Sequence, residues 1–372
     1  MYIHELSDWP EFRWDNARLS PQISDLRYQQ GRLLGRMQTL GFELKREANL
    51  GTLTNDVVKS SAIEGKVLNP EEVRSSIAQR LGLEAGGLVP ISRDVESVVE
   101  MMIDATNRYK EPLTKDRLTG WHAALFPTGQ SGLQKITIGA WRPESKGAMQ
   151  VISGPIGREK VHFEAPHASL LENEMSEFLD WFESEQKIDP VLKAGIAHLW
   201  FVTIHPFEDG NGRIARAITD MVLARADHAP DRFYSMSTQI ESERKMYYEK
   251  LERQQKGNLD ITNWLEWFFA CLGRAISSAE DALSDVIYKA DLWAIVNERT
   301  VNERQRLVLN RMLDNFKGFM STSKYAKLTK CSQDTALRDI HELLHRGILI
   351  QNPAGGRSTS YRLANISELK KD

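Results

Sequence analysis

Residues 205–216 read His205-Pro206-Phe207-Glu208-Asp209-Gly210-Asn211-Gly212-Arg213-Ile214-Ala215-Arg216. Just upstream, residues 191–204 (VLKAGIAHLWFVTI) are nearly all apolar and predict a buried helix. Pro206 cannot continue that helix, and the residue before a proline is pushed out of the helical region. His205 therefore stands at a forced helix end, and a tight loop follows. Gly210 and Gly212 let the loop backbone turn sharply and approach a ligand closely. A second helix then begins, with Ile214, Ala217, Ile218, Met221 and Ala224 recurring at helical spacing.

This order of elements delivers free backbone N–H groups to a helix N-terminus, where unpaired donors and the helix dipole both favour an anion. Arg213 and Arg216, three residues apart, share a face of the first turns. Two guanidiniums beside a nest of amides suit a polyphosphate better than a single carboxylate. Asp209 is a loop carboxylate suited to hold Mg²⁺ against phosphate oxygens. His205 is near enough in the chain to accept a hydroxyl proton. The plain alternative is a helix corner with a capping histidine and two solvated arginines.

The stretch matches the Fic family motif HPFx(D/E)GNGRxxR at every defined position, and the chain resembles that family. The resemblance implies a protein adenylyltransferase that moves AMP from ATP to a Ser, Thr or Tyr hydroxyl. It makes His205 the base and Asp209 the ligand of an Mg²⁺ bridging the α- and β-phosphates. The amides of Gly210, Asn211 and Gly212 would cradle the phosphates, with the Asn211 side chain assisting. Arg213 would hold the β/γ end and Arg216 the γ-phosphate. Upstream, Ser60-Ser61-Ala62-Ile63-Glu64-Gly65 matches the family's inhibitory motif (S/T)xxxE(G/N). Ser60 and Glu64 share a helix face, and Gly65 is a natural residue to end the helix. By resemblance Glu64 pairs with Arg216 and blocks productive seating of the γ-phosphate. Taken alone, SSAIEG reads as an ordinary surface glutamate before a cap.

Composition sets the outer bounds. The 372 residues suffice for two or three domains, and 41% hydrophobic with 27% charged residues describes a soluble globular protein. Cys271 and Cys331 are the two cysteines, which gives neither a disulfide framework nor a zinc site and fits a reducing compartment. No apolar run reaches membrane-spanning length and the N-terminus has no signal pattern, so a cytoplasmic location is expected. Residues 301–372 carry 13 Lys and Arg against 7 Asp and Glu, which leaves 35 against 44 in the rest of the chain. A basic segment on an acidic body hints at a separate partner there.

Around the motif, the N-terminal stretch with Trp9, Pro10, Phe12 and Trp14 predicts a segment packed on the body and resembles a small region often joined to Fic domains. Helices are expected over 21–49, 52–64, 69–82, 92–108 and 114–126. Residues 139–163 alternate between Gly and Pro breaks and predict a short hairpin. The resemblance makes it a flap, with Met149, Gln150, Val151 and Ile152 pairing with the target backbone. A helix with Met175, Phe178, Leu179 and Trp181 follows Pro166. Another covers 241–257, where the family uses Tyr247, Tyr248 and Gln255 on the nucleoside side; either tyrosine also fits a plain core role. Trp264, Trp267, Phe268 and Leu272 belong to a closing helix, and a separate one follows over 275–297.

Beyond residue 301, helices over 303–315, 321–330 and 332–346 precede two strands about Gly355-Gly356, an order that resembles a winged helix-turn-helix. Leu337, Ile340, Leu343 and Leu344 are expected inward, with Arg338, Arg357 and Ser358 placed to face DNA. The expected fold is mainly α: an N-terminal region with the inhibitory helix (1–89), a Fic-type core with its hairpin flap (90–275), a linking helix (276–300) and a winged helix (301–372). ATP and Mg²⁺ are the implied co-substrate and metal. The implied partner is a target protein, this chain itself being one candidate; DNA and a second copy of the chain are further candidates. Three rivals stand beside AMP addition: AMP removal, another Fic-type transfer, and a non-enzymatic nucleotide-sensing DNA-binding regulator.

Overall fold

A computed structural model shows a mainly helical chain and describes residues 1–83, 89–132, 134–155, 157–185, 187–298, 301–313, 319–353, 359–365 and 368. It divides into two compact units, Met1–Glu280 and Asp281–Asp372.

The first unit contains α1 (Asn16–Gln38), α2 (Phe42–Ile63), α3 (Pro70–Arg80), α4 (Arg93–Asn107) and α5 (Lys115–Leu125). Two antiparallel hairpins follow, β1 (Gln130–Ser131) with β2 (Gln134–Lys135) and β3 (Gln150–Ser153) with β4 (Lys160–Glu164). Then come α6 (Leu171–Glu183), α7 (Pro190–Ile204), α8 (Asn211–Asp227), α9 (Met236–Ser242), α10 (Arg244–Gln255) and α11 (Thr262–Glu298), within which the unit boundary falls. Side-chain caps start several helices. Asp15 accepts from Arg18 N at 3.1 Å, Asn69 from Glu71 N at 2.9 Å and Asp189 from Val191 N at 2.8 Å, the last two just ahead of a proline at the first helical position.

The core is α7 packed on α8. Leu199, Phe201, Ile204, Ile214, Ile218 and Met221 are all fully buried. Gly195 on α7 admits α11: a Cβ there would sit 3.2 Å from Phe268 and closer still to Leu265, and Trp264 Nε1 donates to Gly195 O at 2.8 Å. The N-terminal aromatics pack on this body as expected. Phe12 lies edge-on to Trp200 at 5.6 Å, and Trp9 Nε1 donates to Glu174 at 2.9 Å.

Several boundaries differ from expectation. The first long helix ends at Gln38 rather than 49, because Gly41 opens a new helix ten residues earlier than expected. The helix expected over 241–257 is α10, which starts at Arg244, and a short helix not anticipated, α9, precedes it. Conversely, the closing helix and the one expected over 275–297 are one continuous helix, α11: no Pro interrupts them, and Gly273 at the expected break stays helical. The β1–β2 hairpin was not anticipated: its strands are two residues each, too short for periodicity to register.

The second unit contains α12 (Glu303–Leu313), α13 (Thr322–Thr329), α14 (Gln333–His345) and the antiparallel pair β5 (Leu349–Gln351) and β6 (Tyr361–Leu363). Val308, Leu309, Tyr325, Ile340, Leu343 and Ile348 form its buried core. Asp339 ties the helices together, accepting from Arg304 Nε at 2.8 Å, Asn302 Nδ2 at 3.0 Å and Tyr325 OH at 3.2 Å. Leu337 is 40% exposed, against expectation. The buried stripe of α14 runs through Ala336, Asp339, Ile340 and Leu343, which turns Leu337 outward. The expected turn at Gly355-Gly356, with Arg357 and Ser358, lies outside the described residues. Among the described residues, no helix is long and apolar enough to cross a membrane.

Candidate active site

His205 caps α7 in the left-handed conformation, φ 52° and ψ 58°, with its N–H still bonded to Phe201 O at 3.0 Å. A non-glycine residue there is uncommon and needs support from its surroundings. Arg142 supplies it. Its Nε donates to His205 O at 2.9 Å, its backbone N to Pro206 O at 2.8 Å and its terminal guanidinium nitrogen to Pro166 O at 2.5 Å. Burial pushes the Arg142 pKa down to about 10. The His205 ring has Nδ1 at 3.2 Å from Val202 O. A carbonyl only accepts, so Nδ1 carries the proton and Nε2 keeps its lone pair. Burial lowers the ring's pKa to about 4, which keeps it neutral at pH 7.

The loop after His205 is held from several sides. Phe207 stacks on the buried His122 ring at 4.1 Å and 4°. Glu208 accepts from Thr137 N at 2.6 Å and pairs with Lys146 at 3.2 Å. The Asn211 side chain is committed to the loop, accepting from Phe207 N at 3.0 Å and donating to Phe207 O at 2.8 Å. The amide thereby shapes the loop. Gly210 has φ 86°, and a Cβ there would meet Phe126 at 3.0 Å. Asp209 accepts from Gly210 N at 2.5 Å and from the Ser131 hydroxyl on β1, and stays 38% exposed.

Both motif arginines are buried. The Arg213 guanidinium lies 5.0 Å from the Phe126 ring centre, 3.7 Å from Asp209, and its Nε has no partner. Arg216 is held by the end of α2. Its Nε donates to Ser60 Oγ, and one terminal nitrogen donates to Ser60 O and to Glu64 Oε1, each at 2.9 Å. Its other terminal nitrogen is unpartnered. Unsatisfied buried guanidinium donors beside free helix-start amides are what an absent polyphosphate would fill. Gly65, φ 79°, closes α2 with paired reverse bonds, Lys66 N to Ser61 O at 3.0 Å and Gly65 N to Ala62 O at 2.9 Å. That closure aims Glu64 at the site. A Cβ on Gly212 would collide with the Glu64 carboxylate, so the glutamate occupies the space above the nest.

A cavity of about 870 Å³ opens beside these groups, lined by Glu64, His205, Gly212, Val151, Ile152 and Tyr248 among others. Gln255 also lines it and is fixed by long bonds to Val202 O and Thr203 Oγ1, both 3.4 Å. The two tyrosines divide their roles. Tyr247 OH donates to the buried His198 Nε2 at 2.9 Å, and His198 Nδ1 continues to Thr219 Oγ1 at 2.9 Å, a core relay. The Tyr248 hydroxyl is 3.3 Å from both Glu64 Oε2 and Ile63 O. On the hairpin, Val151 and Ile152 face the cavity. Met149 accepts from Ala165 N at 2.9 Å and Gln150 bonds Glu164 at 2.7 Å, which ties these two to their own hairpin.

Sequence reasoning missed Arg142, Ser131, His122 and the Tyr248–Glu64 contact. Arg142 lies within the stretch 139–163 read as a hairpin, but nothing local marks an arginine that acts 63 residues away. Asp209 fits a minimal Mg²⁺ role, a single accessible carboxylate that shares the ion with phosphate oxygens. Among the described residues there is no cluster of three metal-ligating side chains.

Residues 112–223 match the Fic/DOC family, and residues 2–83 match a domain of unknown function, DUF4172. The chain is 27% identical over 176 residues to protein adenylyltransferase fic-1 of Caenorhabditis elegans, covering 47% of this chain and 32% of that protein. It is 32% identical over 252 residues to protein adenylyltransferase Fic of Drosophila willistoni, covering 65% of this chain and 44% of that one. The chain thus spans less than half the length of these curated relatives. A crystal structure of a Fic family protein from Desulfovibrio desulfuricans G20 superposes with a TM-score of 0.50 at 21% identity, covering 92% of this chain and 96% of that one, which shows a shared fold. The histidine, the glycine-rich loop and the two buried arginines all lie within residues 112–223, the stretch that matches the Fic/DOC family.

Proposed function

We propose that the protein transfers AMP from ATP to a Ser, Thr or Tyr hydroxyl of a protein, and that Glu64 restrains the transfer. One observation carries the reading: His205, its Nε2 unprotonated, lines the same cavity as Gly212 and the Glu64 carboxylate that holds Arg216. In this reading the target hydroxyl attacks the α-phosphorus, its proton passes to His205 Nε2, and pyrophosphate leaves with the electron pair of the broken bond. The N–H groups of Asn211, Gly212 and, once released from Asp209, Gly210 bind the triphosphate together with the two arginines. Asp209 would hold Mg²⁺, which would supply neutralisation of phosphate charge. Positioning and electrostatics supply the rate, so the loop's fastening through Arg142, Glu208 and Asn211 is part of the machinery. Restraint follows because Arg216 cannot serve the γ-phosphate while Glu64 occupies it, and a carboxylate above the nest repels the phosphate.

The domain reading accompanies this: a regulatory region at 1–89, the core at 90–275, a linking helix at 276–300 and a winged helix at 301–372, in a cytoplasmic protein. On α14 the exposed Asp334 and Leu337 stand beside Arg338 and His341, a mixed face that suits a protein contact better than a phosphate backbone. The test of AMP transfer is His205→Ala in a Glu64→Gly background. Nucleotide binding by calorimetry should persist while transfer to protein hydroxyls falls by at least about 100-fold. Undiminished transfer would remove His205 from the role of base.

A further inference from the structure

The second unit carries a histidine pair that its own packing does not use. Residues 341–345, at the end of α14, read His341-Glu342-Leu343-Leu344-His345. Leu343 lies on the buried stripe with Ala336, Asp339 and Ile340, whereas both histidines are exposed. Residues four apart on a helix share a face one turn apart, with Cβ atoms about 5–6 Å from each other. That spacing lets one nitrogen of each imidazole reach a single ion at about 2.0–2.1 Å. Among the described residues neither ring has a hydrogen bond or an ion pair, so each neutral ring keeps a lone pair for a ligand.

The backbone beneath the pair is fixed. Ile348 N donates to Leu343 O and Gly347 N to Leu344 O, both at 2.9 Å, and Gly347 has φ 65°. These reverse bonds close the helix directly after His345, with Leu343 and Ile348 in one buried core. Binding an ion therefore orders little besides two side chains. The helix C-terminus brings partial negative charge, which favours a cation. Arg338, three residues before His341, is the opposing charge on that face, and Asp334 stands four residues before Arg338. Glu342, between the histidines in sequence, is engaged elsewhere: its Oε2 accepts from Gln305 Nε2 at 3.0 Å and stands 3.9 Å from Arg346. A carboxylate so engaged is a poor base for a metal-bound water, so the order His-Glu-x-x-His favours metal binding here rather than hydrolysis.

We propose that His341 and His345 form a binding site for a divalent transition-metal ion of the Zn²⁺ class. Imidazole nitrogens suit Zn²⁺, Ni²⁺ or Cu²⁺ and not the hard, oxygen-seeking Mg²⁺ or Ca²⁺, which separates this site from the role given to Asp209. Two protein nitrogens leave the remaining coordination positions to water or to an outside donor. Held across one turn of α14, the ion also staples the end of the helix. The inference does not depend on AMP transfer.

The test is calorimetric titration of the full chain, free of any polyhistidine tag and stripped of metal by a chelator, with ZnCl₂ and separately with MgCl₂. Wild type, His341→Ala, His345→Ala and the double variant are compared, and circular dichroism checks that each keeps its helix content. Saturable Zn²⁺ binding is expected in wild type. Losing a second-shell partner of a metal already costs about 10-fold or more, so either single variant should bind at least about 10-fold more weakly. Peptide-level mapping of histidine acylation by diethyl pyrocarbonate gives a readout in the unaltered chain: Zn²⁺ should protect His341 and His345 together, and Mg²⁺ should protect neither. Unchanged Zn²⁺ affinity in the double variant, or wild-type affinity in both single variants, overturns the inference. So does acylation of the pair that Zn²⁺ leaves unaltered, equal protection by Mg²⁺, or a wild type that binds no Zn²⁺.

Discussion

Arg142→Ala isolates the support beneath His205. The Arg142 guanidinium is 5% exposed, and burial lowers its pKa to about 10. The surroundings therefore disfavour the cation by about 3 kcal/mol. Against this stand its bonds to His205 O and Pro166 O, worth about 1.5–3 kcal/mol each for a charged donor. The residue's net contribution to stability is thus small, yet its removal is not. Alanine strands two buried carbonyls at about 1–3 kcal/mol each, so a loss of about 2–6 kcal/mol is expected. In the unit Met1–Glu280 that corresponds to a Tm lower by about 3–10 °C. The stranded His205 carbonyl belongs to a left-handed cap that no glycine relaxes, so the imidazole should also lose its aim. Differential scanning calorimetry gives the first number. AMP transfer in a Glu64→Gly background, measured well below the new Tm, gives the second. Arg142→Lys should be intermediate, since one donor can still reach one carbonyl. A Tm within 2 °C of the parent together with unchanged transfer would refute the reasoning.

Two further outcomes follow from the same geometry. His122 and His198 are both fully buried, and burial lowers their pKa values to about 4 and about 3. The unfolded chain binds these protons first, so stability should fall as pH drops below about 6.5, by about 2 kcal/mol per histidine at pH 5. Chemical denaturation at pH 7 and pH 5 measures it, and equal stability at both would contradict the burial argument. Tyr248→Phe removes a shared 3.3 Å hydrogen bond to Glu64, a weak one worth about 1 kcal/mol or less. AMP transfer should rise by up to about 5-fold in the otherwise unaltered chain, and a fall would give Tyr248 a productive rather than a restraining role.

What could be read without the structure was what is local. The run His205–Arg216 carries its helix end, turn glycines and helix start within twelve positions, so its arrangement follows from backbone rules alone. Glu64 was legible because the helix periodicity joins it to Ser60 and Gly65 closes the helix beneath it, although its pairing with Arg216 came from resemblance. The bonds of the Asn211 side chain to the loop were not legible because both partners are backbone groups of Phe207, which leave no trace in side-chain pattern. Tyr247 and Tyr248 are adjacent yet point to different tasks, and only the position of His198 separates them. Leu337 looked like core because leucines at 337, 343 and 344 surround Ile340, but Asp339 takes a buried place through its bonds to Arg304 and Tyr325. Contacts between residues far apart in the chain decided each of these.

The most direct test of the restrained transferase compares wild type, Glu64→Gly and Glu64→Gly/His205→Ala. Each is mixed with α-phosphate-labelled ATP, Mg²⁺ and folded proteins from a cell lysate, and label is read on proteins other than this chain. Releasing Arg216 removes one charge-assisted bond at 2.9 Å, about 1.5–3 kcal/mol and hence about 10- to 150-fold in rate. Glu64 is 29% exposed, which favours the lower half of that range. Strong labelling by Glu64→Gly, weak labelling by wild type and none by the double variant is the predicted result. Equal labelling by wild type and Glu64→Gly, or none by either, would contradict it.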